Sequence, residues 1–193
     1  MQPLIAHARS FGQRPEEFGR LAEGQSPQVL FITCSDSRVV PALITGARPG
    51  ELFELRTAGN IVPPYGSGGP KSEAATIEYA LEVLGVRDVV VCGHSHCGAV
   101  GALVRGDDLS SVPAVRDWLA HAADAPATPD SADPAVAAAV QHHVLAQVLR
   151  LRSYPCVERR LRGGRLRLHA WYYEVHTGSV LEHRPASDTF EAL

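Results

Sequence analysis

Four short apolar runs punctuate the chain: Val29-Leu30-Phe31-Ile32, Leu52-Phe53-Glu54-Leu55-Arg56, Val89-Val90-Val91, and Leu166 to Val175. The first and third are short, β-branched and bounded by turn residues, the pattern of buried parallel strands, the second alternates as a strand does, and the last reads as a fourth strand. Between them the spacing changes to that of helices. Ser72 to Leu84 carries Ala75, Ile77, Ala80, Leu81 and Leu84 on one face, with Ser72 as a candidate cap and Gly85 as a stop. Val39 to Ile44 reads as one or two helical turns, Gly98 to Leu103 as a tightly packed helix start, and Val115 to Ala122 as a short helix. Ala135 to Arg152 reads as a long helix, and Tyr154-Pro155 opens another that Gly163-Gly164 closes. Strands alternating with helices predict an α/β fold: a mostly parallel, four-stranded central sheet flanked by helices. Val180 to His183 is expected to add an antiparallel edge strand across the Thr177-Gly178 turn.

The remaining segments are loops or arms. Residues 60–70 are too rich in Gly and Pro for regular structure, and 121–134 reads as a surface loop. We therefore expect one domain over 1–193, with 1–23 as an N-terminal helical arm broken near Pro15 that lies on the chain's own surface or on a partner subunit. The net charge is −3 and Lys71 is the single lysine. No basic stripe appears, which argues against nucleic acid as a partner. No apolar run reaches the length of a membrane span, and the N-terminus lacks the pattern of a secretory signal. Four cysteines without a disulfide-like framework suit a reducing compartment, so the cytoplasm is expected.

Two of the runs lead into chemistry. Cys34-Ser35-Asp36-Ser37-Arg38 follows the first strand, and Cys92-Gly93-His94-Ser95-His96-Cys97-Gly98 follows the third. Reactive side chains just past the carboxyl ends of parallel strands stand where open α/β sheets bind ligands. Cys34, His94 and Cys97 form a plausible zinc set, because thiolate and imidazole suit zinc and a catalytic zinc keeps three protein ligands with one open position. A helical turn from His94 to Cys97 would bring those two onto one face. A structural site would want a fourth Cys or His, and no CxxC pair exists. Cys92 reads as packed core, and Cys156 has no metal role. His96 is expected to face solvent or the surroundings of the site, and His142 and His143 to lie at a surface or interface. Asp36 and Arg38 form an ion pair beside Cys34, either structural or part of the chemistry.

The pair CSDSR and GHSHCG resembles the β-class carbonic anhydrases, and the plant-type branch in particular. The resemblance runs from about Leu21 to His183 and includes Gly24-Gln25-Ser26-Pro27, Pro49-Gly50-Glu51, Ala58 to Pro63, Glu78-Tyr79-Ala80 and Trp171-Tyr172-Tyr173. It departs at Arg56-Thr57, where the family usually has Arg-Asn. The resemblance implies one Zn²⁺ per chain on Cys34, His94 and Cys97, and reversible hydration of carbon dioxide to bicarbonate and a proton. It implies that Asp36 orients the attacking oxygen and that Arg38 holds Asp36. It further implies that Gln25, Phe53, Tyr79 and the Gly98 amide line the substrate pocket, in a homodimer or a pair of dimers that share pockets. Two other readings use the same residues: a hydrolase for carbon disulfide or carbonyl sulfide, and a zinc-stabilised binding protein without catalysis.

Overall fold

The computed structural model describes residues 1–11, 18–66, 71–122 and 137–193. Helix α1 (Gln2–Phe11) is followed by a short 3₁₀ turn, Gly19–Glu23. Strand β1 (Val29–Cys34) leads to α2 (Pro41–Thr45) and β2 (Leu52–Thr57). Helix α3 (Ser72–Glu78) runs into a π-turn, Tyr79–Val83, and then β3 (Asp88–His94). Helices α4 (Gly98–Arg105), α5 (Pro113–Leu119), α6 (Ala137–Arg152) and α7 (Pro155–Arg162) precede β4 (Arg167–Tyr173). Strands β5 (Val180–Arg184) and β6 (Thr189–Ala192) close the chain.

The strands form one sheet in the order β2-β1-β3-β4-β5-β6. The first four are parallel, as the apolar runs predict, and β4–β5 and β5–β6 are antiparallel. The expected edge strand is present as β5, but it is not the edge: β6 covers it. Ser72 does not cap α3. Lys71 is the capping residue, and Ser72 lies in the first turn. The break expected near Pro15 and most of the 121–134 loop lie outside the described residues.

Register explains the core. Leu30 and Ile32 of β1 stand beside Val89 and Val91 of β3 and, with Ala170 and Tyr172 of β4, meet α3, α6 and α7 on one face of the sheet. The side chains of that cluster are almost wholly removed from water, and each such aliphatic burial contributes about 1.5–3 kcal/mol. Gly93 allows α6 to approach: a Cβ there would lie 2.5 Å from Val144 Cγ2 and 2.8 Å from Val140 Cγ1.

The other face differs. Phe31, Val90 and Cys92 form a small buried cluster with Val29, Trp171 and Tyr173 at its margin. A groove of about 380 Å³ on this face is lined in part by Val29, Phe31, Leu52, Val90 and Trp171. None of the ten residues of α1 is buried.

Candidate metal centre

Strands β1 and β3 are neighbours, yet the chain leaves β1 toward β2 on one side and returns to β3 on the other. The carboxyl ends of β1 and β3 therefore flank the point where the strand order reverses, which is where a crevice opens in such sheets. Cys34 ends β1 and His94 ends β3. Cys97 precedes α4 and is reached through a turn, not through the helical turn expected from the spacing. His96 makes that turn possible by adopting a left-handed conformation, φ 56°. Its side chain points to solvent, one of the two outcomes expected for it.

The ligand atoms of Cys34, His94 and Cys97 all lie within 4.8 Å of one another, and all three residues are buried. His94 Nδ1 is 2.9 Å from the Ser95 carbonyl oxygen. A carbonyl only accepts, so Nδ1 carries the proton and Nε2 offers its lone pair. That Nε2 is buried and has no hydrogen-bond partner among the described residues. A buried orphan acceptor is costly unless something occupies it, and two thiols beside it complete a set suited to zinc. The residues present thus fit a zinc ion. The two thiols shape each other's acidity. Cys34 is drawn well below the usual thiol range, first by its hydrogen bond with Cys97 and further by His94 and the backbone amides of Asp36 and Gly59, while Cys97 is correspondingly pushed up. Gly59 N–H donates to Cys34 Sγ at 3.3 Å. Cys92, wholly buried behind the centre, is pushed up to about 12 by burial, which suits the core role expected of it.

Asp36 and Arg38 stand at the mouth. Arg38 Nε and Nη2 donate to Asp36 Oδ1 and Oδ2 at 2.9 and 2.6 Å, and the Arg38 amide donates to Oδ1 at 2.9 Å. Arg38 Nη2 also donates to the His96 carbonyl at 3.1 Å, which ties the two motifs together. Asp36 Oδ2 lies 3.8 Å from His94 Nε2, so the carboxylate borders the space the three ligand atoms face. The Arg38 contacts hold its pKa well below the usual carboxylate range.

Other residues support the centre without being apparent in the pattern. Arg56, at the end of β2, donates to the carbonyl oxygens of Cys34, Asp36 and Val39. Thr57 occupies the position where the family usually has Asn, and its hydroxyl donates to the Ile61 carbonyl at 3.0 Å, closing the turn that carries Gly59. His143 is buried, contrary to the surface or interface position expected of it, and its Nε2 is 2.8 Å from the Gly59 carbonyl oxygen. Burial lowers its pKa, so the neutral ring donates there.

The remaining predicted site residues lie on exposed or half-exposed surface. Phe53 and Tyr79 pack on each other with ring centroids 5.9 Å apart, and Tyr79 is 44 % exposed. Gln25 is exposed, and so is Gly98 at the first turn of α4, with nothing within 4 Å of where its Cβ would be.

Comparison with known proteins gives this arrangement a family. The carbonic anhydrase family model matches residues 29–180. A carbonic anhydrase of Pseudomonas aeruginosa is 48 % identical over 189 residues, covering 95 % of this chain and 86 % of that protein. The solved β-carbonic anhydrase CcaA superposes with a TM-score of 0.90 at 38 % identity, over 100 % of this chain and 92 % of its own. A β-carbonic anhydrase of the ascomycete Sordaria macrospora superposes with a TM-score of 0.77 at 28 % identity, over 94 % of each chain. The chain belongs to the β-class carbonic anhydrases, zinc enzymes that hydrate carbon dioxide reversibly.

Proposed function

We propose that Cys34, His94 and Cys97 hold the zinc and that Asp36, held by Arg38, directs the oxygen that attacks carbon dioxide. The observation that carries this reading is the two-point grip of Arg38 on Asp36, with the carboxylate 3.8 Å from the free His94 nitrogen. Held by Cys34, His94 and Cys97, a zinc ion would supply Lewis acidity that makes a water more acidic. Asp36, ionised and acceptor-only at neutral pH, would accept a hydrogen bond from the attacking water and so aim it at the substrate carbon. Arg38 keeps the carboxylate from swinging inward. The Gly98 amide, at the start of α4 and without an intrahelical partner, faces the product's oxygens. Adding the oxygen to carbon dioxide gives bicarbonate, and the proton leaves to solvent.

Gln25, Phe53 and Tyr79 are the proposed walls of the substrate pocket, as in the plant-type branch. Their exposure in one chain fits a pocket completed by a second. Parallel sheets normally have both faces covered. Here the groove over Phe31 and Val90 and the unburied α1 offer two surfaces that a second copy can cover. A homodimer, or a pair of dimers, is the proposed assembly, and the Sordaria macrospora relative is described as tetrameric. The 1–23 arm would then lie on the partner, and 1–193 would form one domain. Three thiol and imidazole ligands suit the cytoplasm. No described helix is long and apolar enough to cross a membrane. Stopped-flow hydration of carbon dioxide by zinc-loaded wild type and Asp36→Asn tests the central step. We expect a loss of about a hundredfold or more, and an unchanged rate removes Asp36 from the mechanism. Sedimentation alongside activity on dilution tests the shared pocket, and a fully active monomer refutes it.

A further inference from the structure

At the other end of the sheet the chain gathers arginine. Residues 159–167 contain Arg159, Arg160, Arg162, Arg165 and Arg167 and no acid, although the whole chain carries −3. The α7–β4 turn, through Gly164 at φ 64°, folds this segment back beside the start of β3. The Arg167 amide donates to the Arg87 carbonyl at 2.9 Å and fixes Arg87 next to it. The result is a cleft of about 660 Å³ whose walls include Arg87, Arg160, Arg165 and Arg167. Three carboxylates are near, and each is engaged. Glu82 pairs with Arg159 at 2.7 Å and lies 3.6 Å from Arg160. Asp88 pairs with Arg167 at 2.7 Å and with His169 at 2.9 Å, and Glu158 lies 3.7 Å from Arg162. Arg87 and Arg165 are exposed and have no carboxylate in ion-pair reach among the described residues. Around the cleft, six guanidiniums are set against three carboxylates, and four of the six, Arg87, Arg160, Arg165 and Arg167, line it.

Concentrating like charge at a concave surface is unfavourable unless an anion relieves it, and such a surface raises the local concentration of anions. Guanidinium forks match phosphate oxygens in pairs. Among the described residues the only large apolar side chain in the wall is Leu166, and they offer no aromatic surface to a base or a ring. We propose that this cleft binds a small anion carrying two or more linked phosphate groups, recognised through its phosphate chain. The cleft lies at the amino ends of β3 and β4. The seven residues of β3 separate it from the metal centre by roughly 20 Å, so it is a site apart from the one that hydrates carbon dioxide.

Calorimetric titration of the zinc-loaded protein with inorganic tripolyphosphate, in low salt without added divalent cation, tests this. We expect saturable binding that weakens as salt rises. Arg87→Gln/Arg165→Gln should weaken it about tenfold or more, while Arg105→Gln/Arg116→Gln, which removes equal charge elsewhere, should change it less than about twofold. Both double variants should keep zinc content and carbon dioxide hydration, which certifies their folds. ATP should bind no more tightly than tripolyphosphate. The proposal is overturned if wild type shows no saturable binding, or if the two double variants lose affinity equally. It is also overturned if ATP binds while tripolyphosphate does not, or if hexaglutamate binds as tightly as tripolyphosphate.

Discussion

Arg56 reaches from the end of β2 to the carbonyl oxygen of Cys34, with Nε and Nη2 at 3.2 and 3.0 Å. The same Nη2 donates to the carbonyls of Asp36 and Val39 at 2.7 and 2.8 Å. One planar cation therefore fixes the backbone of the whole CSDSR segment, including Cys34 and Asp36, the proposed zinc ligand and the proposed orienting carboxylate. Arg56→Lys should fail to replace it, because an ammonium is a compact point donor and cannot span three carbonyls. We expect Arg56→Ala and Arg56→Lys to lower kcat by about tenfold or more and to cost about 1–3 kcal/mol of stability. Urea unfolding and stopped-flow rates measure the two effects.

Arg38 and Asp36 should separate by mechanism. Without its guanidinium partner, the Asp36 carboxylate is free to approach the cluster it already borders at 3.8 Å. A carboxylate is itself a competent zinc ligand. Arg38→Ala should keep zinc and fold yet lose most activity, with a carboxylate oxygen as the fourth ligand in zinc X-ray absorption. Asp36→Ala should lose activity with water still in that position. An Arg38→Ala protein that is inactive with water as its fourth ligand would contradict this account.

Cys34→Ser, His94→Ala and Cys97→Ser should each lower zinc content well below one per chain, because each removes a third of the ligand set. Cys92→Ser is the control. Its buried thiol is not among the clustered donors, so metal content should hold while stability falls. Removing the metal with a chelator should lower the melting temperature of the wild type and leave the His94→Ala protein almost unaffected.

The pH dependence of stability should trace in part to Asp88. Arg167 first, and then His169, pull its pKa below the ordinary carboxylate value. A group depressed in the folded state stabilises above its unfolded pKa, near ~4, and loses that contribution as pH falls through the lower folded value. Wild type should therefore exceed Asp88→Asn in stability at pH 7, by no more than about 1 kcal/mol, because the Arg167 partner is open to solvent and the pair is screened. The gap should close as the pH drops below about 4. Denaturant melts of both proteins across that range give the measurement.

Strands β1 and β3 and both motifs were readable because each of these two strands is a short apolar run that leads into a reactive segment, as Val89 to Val91 does before His94. What escaped had no local signal. Strand β6, Thr189–Ala192, lacks an apolar run and exists because β5 presents an open edge to it. The π-turn at Tyr79–Val83 has ordinary helical spacing, and it shows only in hydrogen bonds such as that from the Leu84 amide back five residues to the Tyr79 carbonyl at 3.0 Å. His143 and Arg56 bind backbone carbonyls, which look the same whatever residue carries them, so no pattern in the sequence announces such partners.

The metal centre joins residues that are distant along the chain. Cys34 and His94 sit on adjacent parallel strands, with α2, β2 and α3 between them in sequence. Parallel pairing of this kind has high contact order and forms slowly, because the loop must close before any contact rewards it. No precursor with only β1, or only the hairpin-like β4–β6 end, can capture zinc with three ligands. Metal uptake during refolding therefore times the joining of β1 to β3, and a zinc-sensitive dye in the refolding buffer would read the folding of the sheet's centre.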